Sequence, residues 1–232
     1  MRRHILTATL LLLTLTQTAC LQSVLTPAHK LDAGELVAGA ALEASISPRL
    51  TAAATLGFGE ADASVYGAAM AFGGDATESL FLGGGIAGRW YTPIGMALAG
   101  NLEYTQGITA RLPDGETPRF AQAVVKFVSI PNEAVWLYGG PTATVPLTAL
   151  DGGPLNGQLA FFGLLAGLNI PVADGAHVQL ELMLRPLVFQ NSDEGTRFGL
   201  LTDDTESTGD LLPLLLTGGQ FNVGLNVRLA SF

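Results

Sequence analysis

A chain of 232 residues that is 48% hydrophobic but only 13% charged is far from a soluble globular composition, where charged residues run near ~25%. Its net charge of −9 supplies no basic patch, which argues against a nucleic-acid partner. The single cysteine, Cys20, excludes an intrachain disulfide, and small residues stand where charge is missing, 29 of them glycine.

The first twenty residues read as a targeting segment. Arg2, Arg3 and His4 form a basic start, and residues 5–15 (ILTATLLLLTL) form an apolar run too short to span a membrane as a helix. The run ends in Gln17-Thr18-Ala19-Cys20, which resembles the lipobox of bacterial lipoproteins. That resemblance implies a signal peptide over 1–19 and a lipidated Cys20 as the mature N-terminus. Ordinary signal cleavage is the alternative, although Gln17 is large for the −3 place. Gln22 stands where the lipoprotein pattern would place an inner-membrane retention Asp, which makes outer-membrane delivery the expectation. Residues 20–33 read as a short tether, with His29 as a solvated linker residue.

From residue 34 the chain alternates. In a strand, successive side chains point to opposite faces, so a period of 2 marks one. Over 35–46, Leu36, Ala38, Ala40 and Leu42 share one face and Glu35, Val37, Gly39, Ala41 and Glu43 the other. Pro48 turns the chain into 49–58, where Leu50, Ala52, Ala54 and Leu56 oppose Arg49, Thr51 and Thr55. Strands follow over 64–72, 80–91 and 96–104, the second containing Arg89 and the third Glu103. Within 80–91 the run Gly83-Gly84-Gly85 weakens a strand, but in a small barrel it can make room for a bulky lumen residue. GGGIAG there is no phosphate-binding fingerprint, because no helix follows it.

Residues 120–130 set Gln122, Val124 and Lys126 against Ala123, Val125 and Phe127. Residues 134–145 are ambiguous in facing, and 158–170 are almost continuously apolar, although about thirteen residues are too few for a spanning helix. The clearest alternation is 177–188, HVQLELMLRPLV: Val178, Leu180, Leu182 and Leu184 lie on one side, Gln179, Glu181, Met183 and Arg185 on the other. The last strand, 221–229, sets Val223, Leu225 and Val227 against Asn222, Asn226 and Arg228.

Ten strands bring both ends of the chain to one side. The three longer connections, 106–119, 146–156 and 190–210, then fall on the other. Short turns on one rim and longer loops on the opposite one are the asymmetry of transmembrane barrels. The expected fold is all-β: a closed antiparallel up-and-down β-barrel of ten strands, or eight if the alanine-rich start is outside the wall. Glu35, Glu43, Arg49, Arg89, Glu103, Lys126, Glu181, Arg185 and Arg228 fall on the lumen-facing sides. Val178, Leu180, Leu182, Leu184, Val223, Leu225 and Val227 fall on the lipid-facing sides. Phe58 and Trp90 sit near the inner rim, and Phe72, Tyr104 and Phe189 near the outer, as an aromatic belt requires. In a closed barrel the last strand pairs with the first, which brings Arg228 near Glu35 across the seam.

The terminal Phe232 resembles the C-terminal signal by which outer-membrane β-barrel proteins are recognised for assembly. It is one residue out of step with the outward set of 221–229, an offset that a bulge would restore. The resemblance is to a class, bacterial outer-membrane barrels. It implies outer-membrane lipid and the barrel-assembly machinery as partners, and an N-terminus on the periplasmic side.

A soluble lipocalin-like barrel with its apolar face inward is the competing architecture. An adhesin using its outer loops is the competing function. No metal-ligand spacing, cofactor motif or catalytic constellation occurs. Asp203-Asp204-Thr205-Glu206 lacks the order of a calcium loop, and His177 follows the Asp174-Gly175 turn at the inner end, away from any outer catalytic rim. No enzymatic activity is expected. A barrel of this size has an interior that side chains can largely fill, so a plugged lumen is favoured over a narrow polar pore.

Overall fold

The computed structural model describes residues 27–44, 48–72, 79–112, 115–131, 136–148, 151–155, 157–192, 195–200 and 219–232. Its strands are β1 (Glu35–Ala44), β2 (Arg49–Gly57), β3 (Ala61–Phe72), β4 (Ser79–Tyr91), β5 (Met96–Gly107), β6 (Arg119–Ser129), β7 (Leu137–Pro146), β8 (Leu159–Ala173), β9 (Ala176–Ser192), β10 (Gly195–Leu200) and β11 (Gly219–Ser231). From β1 to β9 each strand pairs antiparallel with the next, and β11 closes the ring between β9 and β1. The wall is therefore a closed antiparallel barrel of ten strands. The eight-strand alternative is excluded, because the alanine-rich β1 and β2 are full members of the wall.

The eleventh strand, β10, is a correction to the sequence reading, which placed a single long loop over 190–210. It pairs Gly195–Leu200 with Leu187–Ser192 of β9, extending that hairpin beyond the point where β11 leaves off. The acidic residues on either side of it in the sequence obscured its short alternation. The signal-peptide region, Cys20 and the acidic run 203–206 lie outside the described residues.

The wall begins at Glu35 and finishes at Ser231 on one end, here the terminal end; the opposite one is the loop end. Turns at the terminal end are short: one is closed by the Thr92 amide donating to the Met96 carbonyl around Gly95, another by Gly175 at a φ of 70°. Leu137 is exposed and Tyr138 buried, which settles the facing of β7. The apolar run of β8 is explained by two apolar environments: Phe161 and Leu165 point into the barrel, Leu164 and Leu168 out of it.

The seam forms between β1 and β11, with Ala44 opposite Phe221 and Glu35 opposite Ser231. Arg228 Nε lies 2.8 Å from Glu35 Oε1, so the two residues expected near each other do form an ion pair. The register shifts by one residue there: Val37 pairs with Arg228 but Leu36 with Ala230. Leu229 is the extra residue of this bulge, and such an insertion re-aims the residues after it. Ala230 thereby sits opposite the outward Leu36. Phe232, whose amide donates to the Gly34 carbonyl, returns to the outward phase and is 88% exposed.

The two faces differ sharply. Leu50, Val65, Leu82, Ile86, Leu102, Val125 and Leu225 are exposed on the outside, while charged and amide side chains are buried within. A lipocalin-like barrel needs the reverse arrangement, so that architecture is overturned. Exposed aromatic residues gather at both rims: Phe58, Trp90, Trp136 and Phe232 at the terminal end, Tyr104, Phe162 and Phe198 at the loop end. Phe189 is half-buried, and the side chain of Phe72 lies outside the described residues.

Candidate functional site

The interior is the candidate site, because it collects nearly all the charge of the wall. Glu35, Glu43, Arg49, Arg89, Glu103, Lys126, Glu181 and Arg185 are all buried there. Arg228 is the exception; at the bulge its side chain is 46% exposed at the rim. On the outer surface Leu182, Val223, Leu225 and Val227 are exposed, and Val178, Leu180 and Leu184 half-buried.

On one side, Arg49 of β2 donates to Glu103 of β5 at 2.9 Å, and Glu43 of β1 is the direct cross-strand neighbour of Arg49. The Tyr66 hydroxyl donates to the same Glu103 oxygen at 3.0 Å, Asn101 donates to Tyr66, and Thr105 donates to the other Glu103 oxygen. On the far side, the Tyr138 hydroxyl donates to Glu181 at 2.6 Å, Arg185 to Gln220 at 2.9 Å, and Asn226 to Gln179. Apolar filling lies between them: Val124, Val128, Leu165 and Met183 form one buried cluster with Tyr91, Tyr138 and Ala28.

The two tyrosines repeat one construction. Tyr66 on β3 lies opposite Gly85 on β4, which lies opposite Glu103 on β5. Tyr138 on β7 lies opposite Gly167 on β8, which lies opposite Glu181 on β9. Each tyrosine thus leans across a glycine to reach a glutamate two strands away. A Cβ added at Gly85 would sit 2.5 Å from the Tyr66 hydroxyl, and one at Gly167 2.4 Å from Tyr138 Cζ. The glycine run therefore makes room for a bulky lumen residue. Gly167→Ala is expected to cost about 1–3 kcal/mol, the usual penalty of overpacking, read as a lower urea midpoint for the barrel refolded in lipid vesicles. An unchanged midpoint would show that Tyr138 does not rest on that glycine.

The terminal-end mouth is partly occupied by the chain itself, beside a cavity of about 1150 Å³ lined by His29, Lys30, Glu60, Tyr91, Asn169 and His177. Residues 27–33 fold into it, with Ala28 and Leu31 buried, and Gly57 lets the backbone of Asp32 and the side chain of Leu31 approach the wall closely. Arg89 holds this segment. Its guanidinium is bound by Asp62, through Nε at 3.0 Å among other contacts, and it donates to the carbonyls of Pro27, Ala28 and His29. Tyr91 donates its single hydroxyl proton to Asp62, with the His29 carbonyl 3.4 Å away, and its oxygen accepts from the Leu31 amide at 3.3 Å. Asp62 and these contacts escaped the sequence reading, which began the third strand at Ser64. Parity with Ser64 and Tyr66 was the signal that could have found Asp62.

His29 is a second correction. Instead of a solvated linker residue it packs against His177, ring centroids 4.5 Å apart, and its Nδ1 is buried without a hydrogen-bond partner. Burial, then the adjacent His177, lowers its pKa from 6.5 to about 4. His177 is itself half-buried and hydrogen-bonded to Asn169 at 3.3 Å. Among the described residues no group of three or more His, Cys, Asp or Glu side chains is placed to hold a metal ion.

No family model and no curated protein matches the chain. Solved structures do resemble it. The N-terminal β-barrel domain of OprF from Pseudomonas aeruginosa aligns at 6% identity over 85% of this chain and 98% of that one, with a TM-score of 0.35. The β domain of the Bordetella autotransporter Brka aligns at 14% identity over 84% and 99%, with a TM-score of 0.39. Outer membrane phospholipase A from Escherichia coli aligns at 9% identity over 90% and 98%, with a TM-score of 0.32. By its own strand pairing and facing, the chain has the closed antiparallel β-barrel fold of the outer-membrane type, apolar outside and polar within.

Proposed function

We propose that this chain is a structural barrel of the bacterial outer membrane whose lumen is closed by its own side chains. The observation that carries the reading is the buried ion pairing of the lumen: Arg49 of β2 with Glu103 of β5, three strands away, and Arg89 with Asp62, its direct neighbour across the β3–β4 ladder, are buried to within a few per cent, with residues 27–33 seated beneath them. An aqueous pore would leave such groups wet; here they fill the interior. The exposed apolar wall suits lipid, which offers no water to satisfy an open sheet edge and so requires closure. The terminal end is then periplasmic, and the in-phase Phe232 is the feature the assembly machinery reads. In planar bilayers the purified barrel is expected to give no unitary conductance steps. Regular steps would replace this reading with a narrow polar pore.

The lipid anchor at Cys20 belongs to the same proposal. Cells fed a fatty-acid analogue are expected to label the wild-type protein and not Cys20→Ala. Equal labelling of both would remove the anchor.

A further inference from the structure

We propose that residues 27–33 are an acid-released plug: seated in the terminal-end mouth at neutral pH, and driven out when the His29–His177 pair takes up protons. The geometry supplies the reason. The two rings are 4.5 Å apart and tilted by only 32°, so a charge on both would meet strong like-charge repulsion. The buried His29 Nδ1 has no partner, so a proton arriving there finds no acceptor to offset its desolvation.

The surroundings oppose a cation as well. Arg89 from β4 lies under the His29 carbonyl, and Arg228 from β11 and His177 from β9 both act against a positive charge on His29. Lys30, on the segment itself, lies over the Tyr91 ring. Among the described residues, Glu60 from the turn between β2 and β3 lines the same cavity as the two histidines, and two further carboxylates lie closer in. Asp62 from β3 is bound by Arg89 and Tyr91, and Glu35 from β1 is engaged by Arg228 and by the Asp32 amide. Glu35 favours a charged His29, but it is outweighed, and the net effect is a His29 that resists protonation while docked.

That resistance sets the direction of the pH dependence. A group that binds protons more weakly docked than free holds its full contribution above the free value of 6.5 and loses it as the pH falls towards about 4. Over that interval docking weakens by about tenfold per pH unit. The remaining hold on the segment is the seat of Leu31 against Gly57 and the grip of Arg89 and Tyr91 on its backbone.

Hydrogen exchange on the full chain in lipid nanodiscs, corrected for the intrinsic pH dependence, tests this. Protection of the Leu31 amide is expected to fall roughly a hundredfold between about pH 7.5 and about pH 4.5, while β5 stays protected throughout. His29→Phe keeps a ring against His177 but cannot titrate, and its Leu31 protection is expected to stay flat. His29→Gln, neutral at every pH, should give the same flat profile. A flat wild-type profile, or the same fall in both variants, would overturn the proposal.

Discussion

Replacing Leu182 with arginine is expected to cost about 2–4 kcal/mol of folding stability in a bilayer, the penalty for a cation on the lipid face near the midplane. Leu182 lies in the body of β9, between Ala166 of β8 and Phe221 of β11, and points outward with 42% of its surface exposed. Its neighbours on that face are apolar, so the guanidinium finds no acceptor there, and the wall separates it from the lumen carboxylates. One position along, Met183→Gln faces the lumen and should cost less, since a carbonyl oxygen can take the Arg185 contact now made to sulfur. Urea titration of both variants in vesicles measures the difference. If both lost equal stability, or if the chain stayed folded and soluble without detergent, the outer face would not be a lipid face.

Arg49→Met is the second large effect, expected at about 3–5 kcal/mol, because removing one partner of a buried pair leaves the other uncompensated. Arg49 is the cation between two carboxylates: Glu103 at 2.9 Å and Glu43 directly across the β1–β2 ladder. Methionine fills much of the volume, so the loss reports charge rather than a cavity. Arg49→Lys retains the charge but not the planar fork and should fall between the two. A cost under about 1 kcal/mol for Arg49→Met, the scale of an exposed pair, would mean that the lumen is wet.

The ten wall strands and the seam were legible because period 2 is a local property, and closure in lipid leaves only one partner for the last strand. Glu35 and Arg228 follow from those two facts alone. The features that were not legible depend on three-dimensional proximity. No periodicity marks residues 27–33, since their contacts are carbonyls offered to Arg89 and a single leucine seated on Gly57. His29 and His177 are nearly 150 residues apart in sequence and touch only because that segment turns back into the barrel. The Leu229 bulge could be anticipated as an offset in the phase of Phe232, but not placed, because a bulge is defined by the partner strand. The tyrosine–glycine–glutamate rows needed the register of three strands at once.

Those rows bear on the order in which the barrel can form. Tyr66 and Glu103 are 37 residues apart, and Tyr138 and Glu181 43, whereas Glu35 and Arg228 are separated by nearly the whole chain. Short loops close at lower entropic cost than long ones, so contacts local in sequence can form first. Each tyrosine bond requires three consecutive strands already in register, and once made it resists slippage of the middle one. The chain therefore contains two self-checking triplets, β3–β5 and β7–β9, each able to lock before the ends meet. Closure of β1 on β11 is left as the slow step, which is the step a membrane-embedded assembly catalyst would have to assist.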